Sequence, residues 1–218
     1  VNDFGAINTG SGNIDIENIA PGANGLDIIQ SAPGIGVQNT GGGIYITEAS
    51  PITVNNAVTA AGDIELIAND TAGFDNGDIT NNAAIASYGG NVTLAAGNDI
   101  TMGANIQAAG TLTMLADDST LVTSNNSTDT GSVIYAGGRA TAPTMVLSGA
   151  AIGADGTPLL TDAGTLDATA TGTVGGIYIE ELNTINLNNL LTTDGEIVVD
   201  AGTGIIATSV VTGTDNDI

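Results

Sequence analysis

The sequence predicts an all-β fold, a right-handed parallel β-helix (a β-solenoid) with about 20 residues per coil. Three observations predict it. A short phrase, glycine followed by alternating polar and apolar residues, recurs at a spacing near twenty. Apolar residues recur at a spacing of two, the strand period. Glycine, 32 of 218 residues, interrupts every window in which a helix would otherwise form.

The elements follow in chain order. Residues 1–39 are strand-like and punctuated by Pro21-Gly22 and Pro33-Gly34, which mark turns. Within them, Asn13-Ile14-Asp15-Ile16-Glu17 alternates as a half-buried strand does. The phrase then appears as Gly62-Asp63-Ile64-Glu65-Leu66, Gly90-Asn91-Val92-Thr93-Leu94 and Gly110-Thr111-Leu112-Thr113-Met114. It returns as Gly195-Glu196-Ile197-Val198-Val199. A single coil has no layer against which to bury its apolar side chains, whereas stacked coils bury them on one another at the strand spacing of about 4.8 Å. Val92, Leu94, Ile100, Met102 and Ile106 are expected inside, with Leu112 and Met114 directly above Val92 and Leu94. Thr93, Thr101 and Thr113 are expected outside. The glycine that opens each phrase is expected to supply a positive φ. The pairs Asn55-Asn56, Asn81-Asn82 and Asn188-Asn189 are expected at corners, with amide ladders between coils. About ten coils would make a rod roughly 45–50 Å long. The rival fold, a β-sandwich, explains short strands but not the twenty-residue phrase.

A longer repeat overlies the short one. Residues 43–68 match 176–201 without a gap at an offset of 133, pairing Tyr45 with Tyr178 and Glu48 with Glu181. The whole of 1–218 therefore reads as one solenoid segment of a longer, block-built chain. The start at Val1, with no signal peptide, fits a processed chain or such a piece. Two coils swell after their first strand, at Asn69–Asn76 and at Asp117–Thr130. Insertions at equivalent coil positions emerge from one edge, so these two polar, acidic stretches are the candidate functional loops.

Composition narrows the function. One basic residue, Arg139, stands against 24 acids, and there is no His, Cys or Trp. The formal net charge is −23, yet 42% of residues are hydrophobic, which separates the chain from disordered acidic tails. Such a surface repels phosphate backbones, so nucleic acid is not an expected partner. No apolar run approaches a membrane span, so membrane insertion is not expected. Zero cysteines exclude a disulfide framework and thiolate chemistry. Without Lys or His, base-catalysed lyase chemistry and nucleophilic triads lack their base. The paired carboxylates Asp117-Asp118 and Glu180-Glu181 read as solvated charge. Gly202-Thr203-Gly204-Ile205-Ile206-Ala207 fits a loose dinucleotide pattern, but no helix follows and Ile205-Ile206 reads as strand. The open site class is a divalent cation: Asp70, Asp75 and Asp78, with Asn76, are the candidate Ca²⁺ ligands, and Asp215-Asn216-Asp217 is a second cluster. No other cofactor is expected, and no catalytic residue is assigned. Four sequons, at Asn69, Asn91, Asn125 and Asn126, accompany an Asn- and Thr-rich composition.

The phrases at 90–101 and 104–114 resemble the repeats of filamentous haemagglutinin-like exoproteins, giant bacterial adhesins of the two-partner secretion group. The resemblance extends over roughly 62–116 and 164–207. It implies a right-handed parallel β-helix, exported and displayed at the cell surface or outside the cell. The family's amino-terminal secretion motifs are not found in 1–40, so the resemblance implies a shaft segment and transfers no catalytic residue. The expected partners are further copies or repeats of the same chain, end to end, and a cell-surface glycan or protein. The alternative is a subunit of a self-assembling extracellular filament, sheath or surface layer.

Overall fold

A computed structural model describes residues 3–18, 25–70, 76–117, 121–122, 130–173 and 175–213. It is a parallel β-helix, with no α-helix among the described residues. The chain winds repeatedly past three faces, and every ladder between named strands is parallel. On the first face one inward column runs Ile14, Ile44, Ile64, Val92, Leu112, Met145, Leu166, Leu187 and Ala207. On the second it runs Leu26, Ile52, Ile79, Ile100, Val133, Ile152, Ile177 and Ile197. On the third it runs Ala6, Val37, Val58, Ile85, Ile106, Ala140, Thr161, Glu181 and Ala201. Neighbours in these columns are 20 or 21 positions apart in the plain coils, as from Ile44 to Ile64 or Leu166 to Leu187. On the first face they are 30 apart in the first described coil, from Ile14 to Ile44, and 28 and 33 apart where the two insertions lie, from Ile64 to Val92 and from Leu112 to Met145.

The expected register holds. Val92 pairs with Leu112 and Leu94 with Met114, and all four are fully buried. Ile100, Met102 and Ile106 are buried as well, while Thr93, Thr101 and Thr113 face outward and are half-buried. Single-file burial of branched aliphatic residues produces one continuous core along the stack. Few aromatic residues are needed because each inward side chain packs on its own counterpart one coil away.

Two local expectations change. Gly62, Gly90 and Gly110 do not take positive φ; of the phrase-opening glycines only Gly195 does, at 124°. Close approach explains Gly90 instead, since a Cβ there would lie 2.4 Å from Asp63 Oδ1 and 2.6 Å from Asp63 N. Asn55-Asn56 and Asn81-Asn82 do sit at corners, and Asn82 Nδ2 donates to Asn55 Oδ1 at 3.1 Å, an amide ladder. Asn188-Asn189 instead falls inside the strand Thr184–Thr192, where the pairing slips by one residue against Leu166-Asp167. In the upper coils the third and first faces merge into single long strands, Ala140–Gly149 and Leu159–Ala170, while Ile177–Glu181 and Ile197–Ala201 run from the second face to the third.

The strands Ile44–Glu48 and Ile177–Glu181 lie 133 positions apart, and so do Ile64–Ala68 and Ile197–Ala201. They do not share a face. Ile44 stands in the first-face column, whereas Ile177 stands in the second. Matched sequence is thus turned by one face around the stack.

Candidate functional site

The acids and amides before the inward strands form a pattern of their own. Asp63 Oδ1 accepts the Asn91 N–H at 2.7 Å, and Asn91 Oδ1 accepts the Thr111 N–H at 2.8 Å. On the second face Asp78 Oδ1 accepts the Asp99 N–H at 3.1 Å, and Asp99 Oδ1 accepts the Ser132 N–H at 2.7 Å. On the third, Asn105 Oδ1 accepts the Arg139 N–H at 3.0 Å. Asn13 does the same for Gly43 at 3.0 Å. Each side chain reaches one coil along the stack and satisfies a backbone donor at the strand start. An orphaned donor would otherwise weaken the ladder where the chain turns. The signal was present in the sequence: Asp or Asn stands immediately before Ile or Val at Asn13, Asp63, Asp78, Asn91, Asp99 and Asn105, although the same pairing also occurs at Asp15, Asn18, Asp27 and Asp217.

This pattern reassigns part of the candidate Ca²⁺ set. Asp78 is a member of the ladder and also accepts from Asn98 Nδ2 at 2.8 Å. Asp70 is 1% exposed, and its Oδ1 accepts the N–H groups of Asn76 (3.1 Å) and Gly77. Asp75 lies outside the described residues, as do Asp118, Asp215 and Asp217. Among the described residues no group of three acids is arranged to hold a metal ion. A Ca²⁺ shell takes six to eight oxygens, and Asp70 and Asp78 offer carboxylates already engaged by amide donors. Asp75 lies outside the described residues, so Ca²⁺ at this loop stands as a proposal to be tested. If the described bonds are the whole role of Asp70 and Asp78, millimolar Ca²⁺ leaves the thermal midpoint unchanged. A Ca²⁺-dependent, chelator-reversible rise that Asp70→Asn removes would make these acids metal ligands instead.

Both insertions leave the stack at one corner, as expected. They follow the strands Ile64–Ala68 and Thr111–Leu115, which are stacked with Val92–Ala96 between them. The second begins at Asp117, whose φ of 53° lies in the left-handed region, and whose N–H donates to Asn98 O at 3.0 Å. Val122 from this insertion then covers the outward-facing Ile67 and Ala95, forming a small apolar cluster outside the main core. The sequence marks that outer cluster only by the apolar Ile67 and Ala95 in an outward column that also holds Glu17, Thr47, Ser148 and Thr169.

Glu180 and Glu181 separate. Glu180 is exposed, but Glu181 is 2% exposed and points into the third-face column. Its Oε2 accepts from Thr161 Oγ1 at 2.7 Å and Ala163 N at 2.9 Å, and its Oε1 accepts from Asn183 N at 3.0 Å. Glu48 is equally buried and accepts from Asn18 Nδ2 at 3.0 and 2.9 Å and from Ser50 Oγ at 2.9 Å. Solvated charge is the wrong description for Glu181, because three donors replace its water. The one basic residue is near: Arg139 Nη1 donates to Thr161 O at 2.6 Å and lines a groove with Glu180, Glu181 and Asp200.

Gly204–Ala207 is a strand, as the loose dinucleotide pattern required if it were to be discounted. Asn69 of the first sequon is buried and donates to Glu48 O at 2.9 Å; Asn91 is exposed, and Asn125 and Asn126 lie outside the described residues.

Tyr45 and Tyr178 each lean back over the glycine two positions earlier, Gly43 and Gly176. Partial burial, then the carboxylates of Asp63, Glu65 and Asp15, hold the Tyr45 phenol above the usual tyrosine range. Partial burial, then Glu196 and Asp155, raise Tyr178, whose hydroxyl donates to Glu196 Oε2 at 3.4 Å. A phenol raised in the folded state holds its proton more tightly there than in the unfolded chain. Its contribution is complete below the unfolded pKa, near 10, and is lost as pH rises through the folded value. Stability is expected to fall above about pH 10, and the double variant Tyr45→Phe, Tyr178→Phe is expected to flatten that fall. Urea unfolding at stepped alkaline pH checks it; parallel curves for the two proteins would contradict it.

No family model, curated protein or solved structure matches the chain. Among the described residues no helix is long and apolar enough to cross a membrane.

Proposed function

We propose that this chain is a non-catalytic, structural and adhesive β-solenoid, a shaft segment of a bacterial surface adhesin or exoprotein displayed outside the cell. The observation that supports it most is the continuous first-face column from Ile14 to Ala207, with the two acidic insertions leaving at the same corner. That is the build of a rod that carries loops along one edge. The acids add to this reading, because the ladder and the buried glutamates use them to hold the coil rather than to do chemistry. The repeat phrases' resemblance to haemagglutinin-like exoproteins supports the extracellular setting. Immunogold electron microscopy with antibodies to this segment tests it. Label on extended structures outside intact cells is the expected result, and label confined to the cell interior would overturn it.

A second reading, a subunit that stacks end to end into a filament, is favoured by one observation. Every ladder between named strands is parallel and runs along one axis, so the outermost coil of any such stack presents strand backbone in the register that a further coil would take. Strand edges so exposed are templates for pairing with another chain. Light scattering across a salt series decides it. Growth in particle length with salt, as repulsion between the acidic rods is screened, supports stacking; a monomer at every salt concentration excludes it.

A further inference from the structure

We propose that the notch beneath Tyr88 binds one sugar ring of a neutral glycan. The notch is an outward groove of ≈170 Å³, lined by Gln38, Asn39, Thr40, Thr59, Ala60, Ala61 and Tyr88. It arises from the order of corner residues between the third and first faces. Thr40, Ala61 and Tyr88 end successive coils, and their N–H groups donate to Asn8 O, Asn39 O and Ala60 O at 2.9–3.0 Å. A small residue therefore lies between two larger ones, and the middle coil is recessed. Gly89 lets the upper corner sit down on the lower, because a Cβ there would lie 2.6 Å from Ala61 O. Tyr88 stands over the recess with 68% of its surface exposed, the one aromatic among the exposed large apolar side chains of the described residues.

The chemistry of the lining selects the ligand. A pyranose ring has an apolar C–H face and an equatorial rim of hydroxyls. A phenol ring is a rigid, amphipathic platform for such a face, with little side-chain entropy to lose. Gln38 and Thr59 stand beside the recess with their polar groups close to one another, Gln38 Nε2 to Thr59 Oγ1 being 3.5 Å. That contact is weak enough to exchange for sugar hydroxyls. No Asp, Glu or Arg lines the notch, although the chain holds 24 acids and a net charge of −23. The surrounding field disfavours an anionic sugar, and the missing carboxylate removes the partner that a cationic one would need. A neutral sugar remains. The proposal concerns a site that the shaft reading does not require, so either can fail alone.

The test is titration of the purified chain with neutral hexasaccharides of glucose, galactose and N-acetylglucosamine, and with an anionic oligogalacturonate. Calorimetry and saturation-transfer NMR give the readouts. Saturable millimolar or tighter binding of at least one neutral probe is expected. Tyr88→Ala and Ala61→Leu, which remove the platform and fill the recess, should each weaken it about tenfold or more, a decade being ~1.4 kcal/mol. Tyr88→Phe should stay within about threefold, since the ring face is kept. Circular dichroism checks that each variant is folded; if Ala61→Leu is not, Thr59→Leu fills the same groove from its strand. The proposal is overturned if no neutral probe saturates, if Tyr88→Ala binds as the parent does, or if oligogalacturonate binds as tightly as the neutral probes.

Discussion

Replacing Leu94 with aspartate is expected to abolish the cooperative unfolding transition of the coils around it. Leu94 is fully buried between Leu66 on one neighbouring coil and Met114 on the other. No basic residue is placed to pair with a carboxylate there, and Arg139, the chain's one basic residue, is committed to Thr161 O. An unpaired charge in such a site costs many kcal/mol or forces the site open to water. Even Leu94→Ala should cost about 2–5 kcal/mol through lost burial and a cavity. In a solenoid each coil is stabilised by its neighbours, so opening one coil removes a nearest-neighbour term on both sides. Thr113→Asp, on the outward side of the next coil, is the control and should change stability by about 0.5 kcal/mol or less. Far-ultraviolet circular dichroism through a urea series measures both. An L94D protein that unfolds at the parent's midpoint would refute the inward stacking of this column.

Removing the buried carboxylate of Glu181 is expected to have the second largest effect. Glu181→Ala leaves the Thr161 hydroxyl and the Ala163 and Asn183 N–H groups without their acceptor in a closed interior. The loss should be about 3–5 kcal/mol, at about 1–3 kcal/mol for each stranded donor after partial relaxation. Glu181→Gln keeps one oxygen but turns an amide donor toward another donor, so about 2 kcal/mol is expected. Glu180→Gln, on the exposed neighbour, should stay within about 0.5 kcal/mol. Urea midpoints for the three variants give the order directly. Equal effects at 180 and 181 would mean that Glu181 is solvated after all.

The architecture was legible in the sequence because the inward columns are written in it. Val92 and Leu112, or Ile64 and Val92, are the same letter of one phrase, and stacking like on like requires no long-range information. What was not legible depends on which neighbour a polar residue meets. Asp78 and Asp70 looked like loop acids because a run of Asp and Asn reads the same whether it faces water or an amide one coil away. Glu181 looked exposed because it follows another glutamate, but strand alternation places adjacent residues on opposite sides. Read strictly by that alternation from buried Ile177 and Ile179, Glu181 falls inside. The glycines were assigned to φ when close approach to the neighbouring coil was the constraint at Gly90. The notch at Tyr88 was invisible for a related reason. It depends on the sizes of Thr40, Ala61 and Tyr88 in three different coils, which are adjacent only after winding.

The one-face turn between matched strands changes what duplication does to this molecule. Tyr45 and its counterpart Tyr178 look out from different sides of the rod, although their local sequences are nearly the same. Copying a block in step with the coil would build a ribbon with one repeated side, well suited to gripping a single flat surface many times. Copying it out of step, as here, deals the same motif around the circumference like a spiral stair. A partner that recognises the motif can then approach from more than one direction, and successive partners need not collide.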